Sequence, residues 1–494
     1  MNKIVAAVVA LIAILLLAIP PALGTLTESR VRERVAAIND SGVFTAELKS
    51  FDRGWFGSTA KIEIGLAPTY ITQVAASGGP ADVLGQRATL AVDFAHGPVA
   101  VQKGVHFGWS TMVARLDPKT EGLAEIEQQL GVPYIFEFRG RTGFTGAVAF
   151  DADVPPMDVP TGIAQFKFSG ALLDGSYAGK HLVSNARIDS LEFASPGGTF
   201  ALHSLRARTD NEILSQYLAP GTAELSIDSV SAIDPVQGST PVLQADKLKV
   251  TSNVKRGSSA ALVDMQVEYG LDRLHVAENE VAGAVLGLAI HNLDVEAIQH
   301  FRGTARDAAL NPSPNSDPAA ASAMADLQRV LAAGPSLVLD PIRFALDGEP
   351  FEGRAEITLD PTKLPPGGIT DVASAVLTGA VSSTANVKLS KPLARRAVAL
   401  AAEMQFRGDT RMPPEQLKYM AEAQAGLMIA QLVSQGFLVE DGEVYRAAVR
   451  FVDGALTVND KPLPFGPQYP PTLCWPEARR HRYSRPAARQ PAPF

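Results

Sequence analysis

The sequence predicts a β-rich α+β fold, with a long, mostly antiparallel curved sheet (or sheets) and a few inserted helices behind a single N-terminal transmembrane helix. The sheet is predicted because apolar and polar residues alternate with period two in many short segments. These segments follow one another without long helices between them, which favours antiparallel meanders over βαβ units. The transmembrane helix is predicted by an uncharged apolar run near the N-terminus.

The composition is that of a folded protein, since 46% of the 494 residues are hydrophobic and 19% are charged. This length suits either several compact domains or one elongated sheet. A net charge of −8 provides no positive field for a phosphate backbone, so we expect no nucleic-acid partner. The single cysteine, Cys474, excludes a disulfide framework and leaves the compartment open.

Residues 1–24 are predicted to be a membrane anchor or a signal peptide. Ile4–Leu23 contain no charge, and as a helix they span roughly 30 Å, the thickness of the hydrocarbon core. A cleaved signal is the main alternative because Ala22-Leu23-Gly24 could serve as a cleavage site, and a buried helix is the third. Either of the first two exports the remainder. We therefore expect a single-pass protein of the cell inner membrane with the bulk of the chain periplasmic.

Residues 25–50 are predicted to form a helical stalk. Leu26, Val31, Val35 and Ile38 recur at helical spacing among charged residues. Because arginines follow the apolar run and Lys3 precedes it, the flanking charges define the orientation only weakly.

Residues 51–390 are predicted to form the antiparallel β domain. The segment K61-I-E-I-G-L66 alternates as expected of a strand with one wet and one dry face. The alternation recurs in 165–168, 187–193, 223–230, 246–250 and 262–269, and Ser195-Pro196-Gly197-Gly198 forms a turn. Short helices are predicted near 293–302 and 317–333, the second beginning at Asp317.

Residues 391–465 are predicted to form a helical pair, at about 393–405 and 414–434, followed by a closing β-hairpin. The hairpin prediction rests on two alternating segments joined by Asp453-Gly454. Residues 466–494 are rich in proline and arginine, and they are predicted to be a disordered tail.

The sequence contains no recognisable catalytic or metal-binding motif. No G-x-S-x-G or H-E-x-x-H motif occurs, and the run from Gly175 to His181 lacks the spacing of a phosphate loop. The histidines are scattered, and a lone histidine is usually structural. We therefore expect no enzyme activity, no catalytic residues, no metal and no cofactor, and the ligand-binding residues are unknown.

Two short motifs carry a resemblance to a known family. One is F51-D-R-G-W-F-G-S58, which contains Arg53, Gly54, Trp55 and Phe56, and the other is His96-Gly97-Pro98. With the anchor, the helical pair and the closing hairpin in the same order, the chain resembles the YdgA-like family of bacterial envelope proteins (domain of unknown function 945) to about Phe465. The resemblance implies an inner-membrane-anchored periplasmic protein without an established activity. The tail departs from the family pattern.

A more distant likeness is to AsmA-like proteins, which are implicated in lipid handling across the envelope. It is carried by the alternating strand that leads into L288-A-I-H-N-L-D294.

From the chemistry of their residues alone, both motifs are expected to have structural roles rather than to bind a ligand. Arg53-Gly54 would set a tight bend, and Trp55 and Phe56 would anchor the first strand. His96-Gly97-Pro98 would end a strand, because proline cannot donate to a ladder.

Two roles follow as alternatives. In the first, the protein is a scaffold that handles lipid or another hydrophobic ligand, and inward apolar side chains contact acyl chains. The candidate contacts are Ile62, Ile64, Phe166, Phe168, Leu225 and Ile227. In the second, the protein is a non-catalytic structural or protein-interaction component of the envelope, and the same side chains form an ordinary core. The predicted partners are the inner membrane and either lipid or envelope proteins.

Overall fold

A computed structural model describes residues 23–463, apart from 41, 77–84, 86, 103, 118–122, 216–217, 236–240, 277–278, 311–316, 365–378 and 407–413. The predicted membrane segment, except Leu23, and the predicted disordered tail lie outside the described residues. Within them, no helix has both the length and the apolar character that a membrane span requires.

The first part of the chain begins with helix α1 (23–40), which is followed by eight strands and two short helices. These elements are β1 (Phe44–Arg53), β2 (Gly57–Leu66), α2 (Pro68–Ala76), β3 (Ala88–His96), β4 (Val99–Val101), β5 (Val105–Phe107), β6 (Ser110–Leu116), α3 (Leu123–Leu130), β7 (Glu137–Thr142) and β8 (Val148–Val154). Helix α1 therefore ends earlier than the predicted stalk, and β1 occupies the end of that range.

The middle of the chain is almost entirely strand. It contains β9 (Met157–Thr161), β10 (Ala164–Phe168), β11 (Ala171–Ala178), β12 (His181–Ser195), β13 (Gly198–Glu212), β14 (Gly221–Ile233), β15 (Pro241–Arg256), β16 (Leu262–Val276) and β17 (Asn279–Asp294). Every segment for which alternation predicted a strand lies in a strand, and the turn at Ser195-Pro196-Gly197-Gly198 joins β12 to β13.

The last part contains α4 (Val295–Leu310), α5 (Asp317–Ala332), β18 (Ser336–Leu346), β19 (Glu349–Leu359), β20 (Val381–Ser390), α6 (Lys391–Phe406), α7 (Pro414–Ser434), β21 (Val439–Asp441), β22 (Val444–Val452), β23 (Ala455–Val458) and β24 (Lys461–Leu463). Helix α4 extends beyond the helix predicted near 293–302. The Asp453-Gly454 turn has positive φ at both residues, 51° and 78°, as a type I′ hairpin turn requires.

All strands except β4 and β5 belong to one antiparallel sheet. From β11 to β20 each strand pairs with the next one in the chain, and β22 then pairs with β20. The closing hairpin therefore continues the same sheet. These pairings confirm the predicted β-rich fold with a long antiparallel sheet and few helices.

Helices cover the apolar face of this sheet near its two ends. At one end, Val31 of α1 packs on a cluster of Ala60, Val92, Phe94 and Ala114. At the other end, α6 and α7 supply Ala394 and Ile429, which pack against Tyr445 of β22. These two clusters are small for a chain of this length, and the long middle of the sheet lies between them.

Candidate functional site

The most extensive feature of the sheet is an apolar row that crosses it from one end to the other. Residues directly opposite each other in an antiparallel pair share a face. Following such pairs from β1 to β22 gives Phe51, Ala60, Val92, Ala114, Phe138, Ala152, Leu173, Ala186, Ala207, Leu225, Val250, Tyr269, Leu286, Ile342, Gly353, Val387 and Ala447. At about 4.8 Å between strands, this apolar row is roughly 75 Å long measured along the sheet.

The opposite face of the same strands is charged. The neighbouring row of opposed residues contains Lys61, Arg115, Glu137, Asp153, Arg187, Arg206, Lys249, Arg343, Glu352, Lys388 and Arg446. The sheet therefore has one face suited to water and one that must be covered by apolar material.

In its middle the apolar row is not covered by any other described part of the chain. Leu225, Tyr269 and Leu286 are 39%, 46% and 39% exposed, and every row residue from Leu173 to Ile342 retains solvent contact. Among the described elements, no helix packs extensively against β11–β16. We call the part of the row from Leu173 to Ile342 the open apolar face.

The neighbouring residues widen the open apolar face. Ile188, Leu205, Ile227 and Leu248 oppose one another on β12–β15, two residues along each strand from the row. On the other side, Val267 opposes Leu288. A band of aliphatic and aromatic side chains therefore faces water, with few polar groups along it.

The apolar residues expected to contact ligand fall in different places. Ile62 packs beneath α1, whereas Leu225 and Ile227 belong to the open apolar face or its border. Phe168 begins a second apolar row with Leu191, Leu202, Val230, Ala245, Leu274, Val281 and Leu346. Ala245 in that row is buried, and its other members are partly exposed.

The structure brings the two sequence motifs together at one end of β1, β2 and β3. Gly57 opposes Ala95, and the amide of His96 donates to the carbonyl of Phe56 at 2.8 Å. The guanidinium of Arg53 lies 3.2 Å from the Glu28 carboxylate of α1. The first motif therefore forms the β1–β2 turn and ties it to the N-terminal helix.

Glycine is required at two positions of the first motif. A Cβ on Gly54 would lie 2.8 Å from the Gly57 carbonyl oxygen, and one on Gly57 would lie 2.6 Å from that of Phe94. The tight bend predicted at Arg53-Gly54 lies there. The side chains of Trp55 and Phe56 project outward and are 57% and 58% exposed, so they do not pack on the first strand as expected.

His96 and Ser58 form a buried polar pair beneath this turn. Ser58 Oγ and His96 Nε2 are 2.8 Å apart, and His96 is only 1% exposed. Burial lowers the pKa of His96 below its ordinary value, so the ring is neutral near pH 7. Its Nδ1 has no hydrogen-bond partner within the described part of the chain. Two side chains sealed from solvent in this way form a structural pair rather than an accessible nucleophile.

Gly97 and Pro98 lead out of β3 into the β4–β5 hairpin. The amide of Gly97 donates to the Trp109 carbonyl at 3.2 Å, and the Pro98 carbonyl accepts from Gly108 at 3.2 Å. Strand β3 ends at His96, as the sequence predicted. Backbone hydrogen bonds therefore fix the connection between β3 and the β4–β5 hairpin.

The concave regions on the charged face hold charges of both signs. One of about 590 Å³ is lined by Asp340, Glu352, Arg354 and Lys388 among others. Within it Arg354 lies 3.4 Å from Asp340, and Lys388 lies 3.5 Å from Glu352. Arg343 and Arg446 also line it, so its lining holds four basic and two acidic side chains. In the described residues, no group of three or more His, Cys, Asp or Glu is placed to hold a metal ion.

A family model for bacterial proteins of unknown function, DUF945, matches residues 1–465. The chain belongs to the DUF945 family. This confirms the resemblance to the YdgA-like family, and the match ends where the proline- and arginine-rich tail begins. No curated protein and no solved structure matches this DUF945 protein, and the likeness to AsmA-like proteins stays a prediction.

The open apolar face of this DUF945 protein was only partly predictable. Alternation indicated that each strand has one apolar side, and it singled out Leu225 and Ile227. Tyr269 and Leu286 were missed because their place beside Leu225 depends on strand register. One signal was present in the sequence, since it predicts too few helices to cover so many strands.

Proposed function

We propose that this protein is a membrane-anchored periplasmic scaffold whose open apolar face binds the acyl chains of lipids or similar hydrophobic molecules. The observation that supports the proposal is that Leu225, Tyr269 and Leu286, in the middle of the apolar row, are exposed to solvent. Exposed apolar bands of this extent mark binding surfaces on soluble domains.

An acyl chain fits this face better than a polar ligand does. Burial of apolar surface contributes about 0.8 kcal/mol per methylene and requires no directional contact. A long chain could therefore be held by many weak contacts along the row, without a specific polar pocket. The predicted curvature of the sheet would deepen the face into a groove.

The membrane anchorage in this proposal rests on Ile4–Leu23, an uncharged stretch of the sequence. A scaffold tethered by this segment would keep the open apolar face within reach of a lipid source. No reaction is assigned, because acyl-chain binding of this kind needs no catalytic group.

The proposal is tested with a photoactivatable fatty acid that carries a diazirine and an alkyne. It is supplied to membranes containing the full chain, and after irradiation the labelled peptides are mapped by mass spectrometry. We expect adducts on β14–β17, and their loss in the variant Leu225→Gln/Tyr269→Gln/Leu286→Gln. The matched control is Arg206→Gln/Ser226→Gln/Lys249→Gln on the charged face, which should label like the wild type. Equal labelling of β14–β17 in all three proteins, or none, would refute lipid binding at this face.

A second candidate function is that of a protein-interaction component. Among the described strands β1 pairs with β2 alone, and the Asn39 side chain bonds the backbone of Ala46 in β1. An edge strand of this kind can accept a strand from another protein along the rest of its length. In-cell crosslinking from β1 followed by capture tests this role. The absence of any reproducible partner would count against it.

A further inference from the structure

The end of the sheet at which α1 begins carries a second exposed apolar surface. We define the apolar tip as Trp55 and Phe56 of the β1–β2 turn, with Val99, Val101, Val105 and Phe107 of the β4–β5 hairpin. The turn and the hairpin are adjacent because His96 bonds to Phe56 and the chain passes from His96 directly into β4.

The hairpin displays its apolar residues on one side. Val99 opposes Phe107 and Val101 opposes Val105, so all four side chains share a face. That face is strongly exposed, with Val101 at 75% and Phe107 at 72%. Ala100, which points the other way, is buried. The hairpin thus buries the small side chain of Ala100 and exposes the larger apolar side chains of its other face to solvent. Folding alone would favour the reverse arrangement.

The first described residues of α1 lie at this same end of the sheet. A Cβ on Gly24 would lie 3.6 Å from Ser58 Oγ and 3.8 Å from His96 Nε2, so the start of α1 touches the base of the turn that carries Trp55 and Phe56. Immediately before it comes the uncharged run Ile4–Leu23. If this run enters a bilayer, the apolar tip lies at the surface of that bilayer.

The chemistry of the apolar tip suits this location. Tryptophan is enriched at the membrane–water interface, and exposed aliphatic and aromatic side chains gain by leaving water for the acyl boundary. Arg53, the polar neighbour of Trp55, is already paired with Glu28 and does not oppose insertion as an isolated charge.

We propose that the apolar tip inserts into the surface of the bilayer that holds the N-terminal segment, and thereby fixes the orientation of the sheet on the membrane. The proposal rests on the membrane anchorage described under Proposed function but not on acyl-chain binding by the open apolar face. The occupant is lipid, and a protein covering the tip is an outcome of the test that would overturn it.

The test uses the fluorescence of Trp55 in the full chain, reconstituted in vesicles of phosphatidylcholine and phosphatidylglycerol with brominated acyl chains. Trp109→Phe and Trp475→Phe leave Trp55 as the single tryptophan. The matched control adds Trp55→Phe and Tyr70→Trp, since Tyr70 lies in α2 beyond the opposite end of β2 and is 40% exposed. We expect Trp55 to be quenched at least about twofold by bromine, as an interfacial tryptophan is, and the control to be unaffected.

Three results would overturn the proposal. Vesicle-bound protein in which Trp55 is quenched no more than Tyr70→Trp would refute tip insertion alone. Protein that fails to float with the vesicles would refute both the insertion and the anchorage. In intact cells, a photoreactive benzophenone amino acid in place of Trp55 that forms protein adducts and no lipid adducts would show a different occupant.

A second probe avoids the tryptophan substitutions. A nitroxide on Phe107→Cys, in a Cys474→Ser background, should be more accessible to oxygen than to a polar nickel reagent. A nitroxide on Tyr70→Cys should show the reverse, and equal behaviour at the two sites would contradict insertion.

Discussion

Leu225→Glu is the most informative single change, because it places a charge in the middle of the open apolar face. Leu225 is 39% exposed, so folding buries only about three fifths of its side chain. Full burial of a leucine contributes about 2 kcal/mol, and Leu225→Glu should therefore lower the free energy of unfolding by only about 1 kcal/mol. The same substitution in a closed core would lower the free energy of unfolding by more, since the buried charge would lack a partner.

The same change should weaken acyl-chain binding strongly. If about three methylenes lose their contact beside the carboxylate, at about 0.8 kcal/mol each, affinity falls by about 2.4 kcal/mol, or roughly 60-fold. Photolabelling of β14–β17 at subsaturating diazirine fatty acid measures this loss, and urea denaturation measures stability.

Ser226→Glu is the matched control. It adds the same charge one residue along the strand, on the charged face, where Arg206 and Lys249 are the opposed residues. We expect normal labelling and unchanged or slightly higher stability. Equal labelling in Leu225→Glu and Ser226→Glu would refute the binding role of the open apolar face. Destabilisation by Leu225→Glu of more than about 3 kcal/mol would instead show a packed core.

Three further predictions concern groups outside this face. Burial lowers the pKa of His96, so the folded protein binds a proton there less readily than the unfolded chain does. The free energy of unfolding should therefore fall as the pH drops below about 6.5, by at most about 1.4 kcal/mol per pH unit. In urea titrations, His96→Gln should reduce this pH dependence. Arg115→Met should destabilise by about 2–3 kcal/mol, since it leaves the fully buried Glu137 carboxylate without its main partner; a loss below about 0.5 kcal/mol would contradict this. The hydrogen bond to Asp153 raises the pKa of Tyr134 to about 12, and ultraviolet titration of wild type against Tyr134→Phe should show this phenol ionising last, with Asp153→Asn bringing it earlier.

Most of the strands were predictable because alternation is a local property of the chain. The segments 223–230 and 262–269 lie in β14 and β16 as predicted. The predicted stalk was too long because F44-T-A-E-L-K49, itself an alternating segment, was joined to the helix before it. The alternation from Phe44 onward therefore marks the boundary between α1 and β1, but the prediction extended the helix across it.

The open apolar face and the His96–Ser58 pair were beyond such reasoning. Leu225, Val250, Tyr269 and Leu286 become neighbours only through the register of successive strands, and a shift of one residue would send each to the other face. Ser58 and His96 meet because β2 and β3 pair, with a helix and its connections between them in the chain. The exposure of these side chains also depends on whether helices pack over the sheet. The alternation within a strand does not encode this.

Contact between the open apolar face and acyl chains can be measured directly in the living cell. The most direct measurement replaces Tyr269 with a photoreactive benzophenone amino acid in the full chain, irradiates intact bacteria and identifies adducts by mass spectrometry. The adjacent Glu268, which lies on the charged face, is the matched position. Binding as proposed predicts lipid adducts at Tyr269 and none at Glu268. Equal lipid adducts at both positions, or only protein adducts at Tyr269, would contradict it.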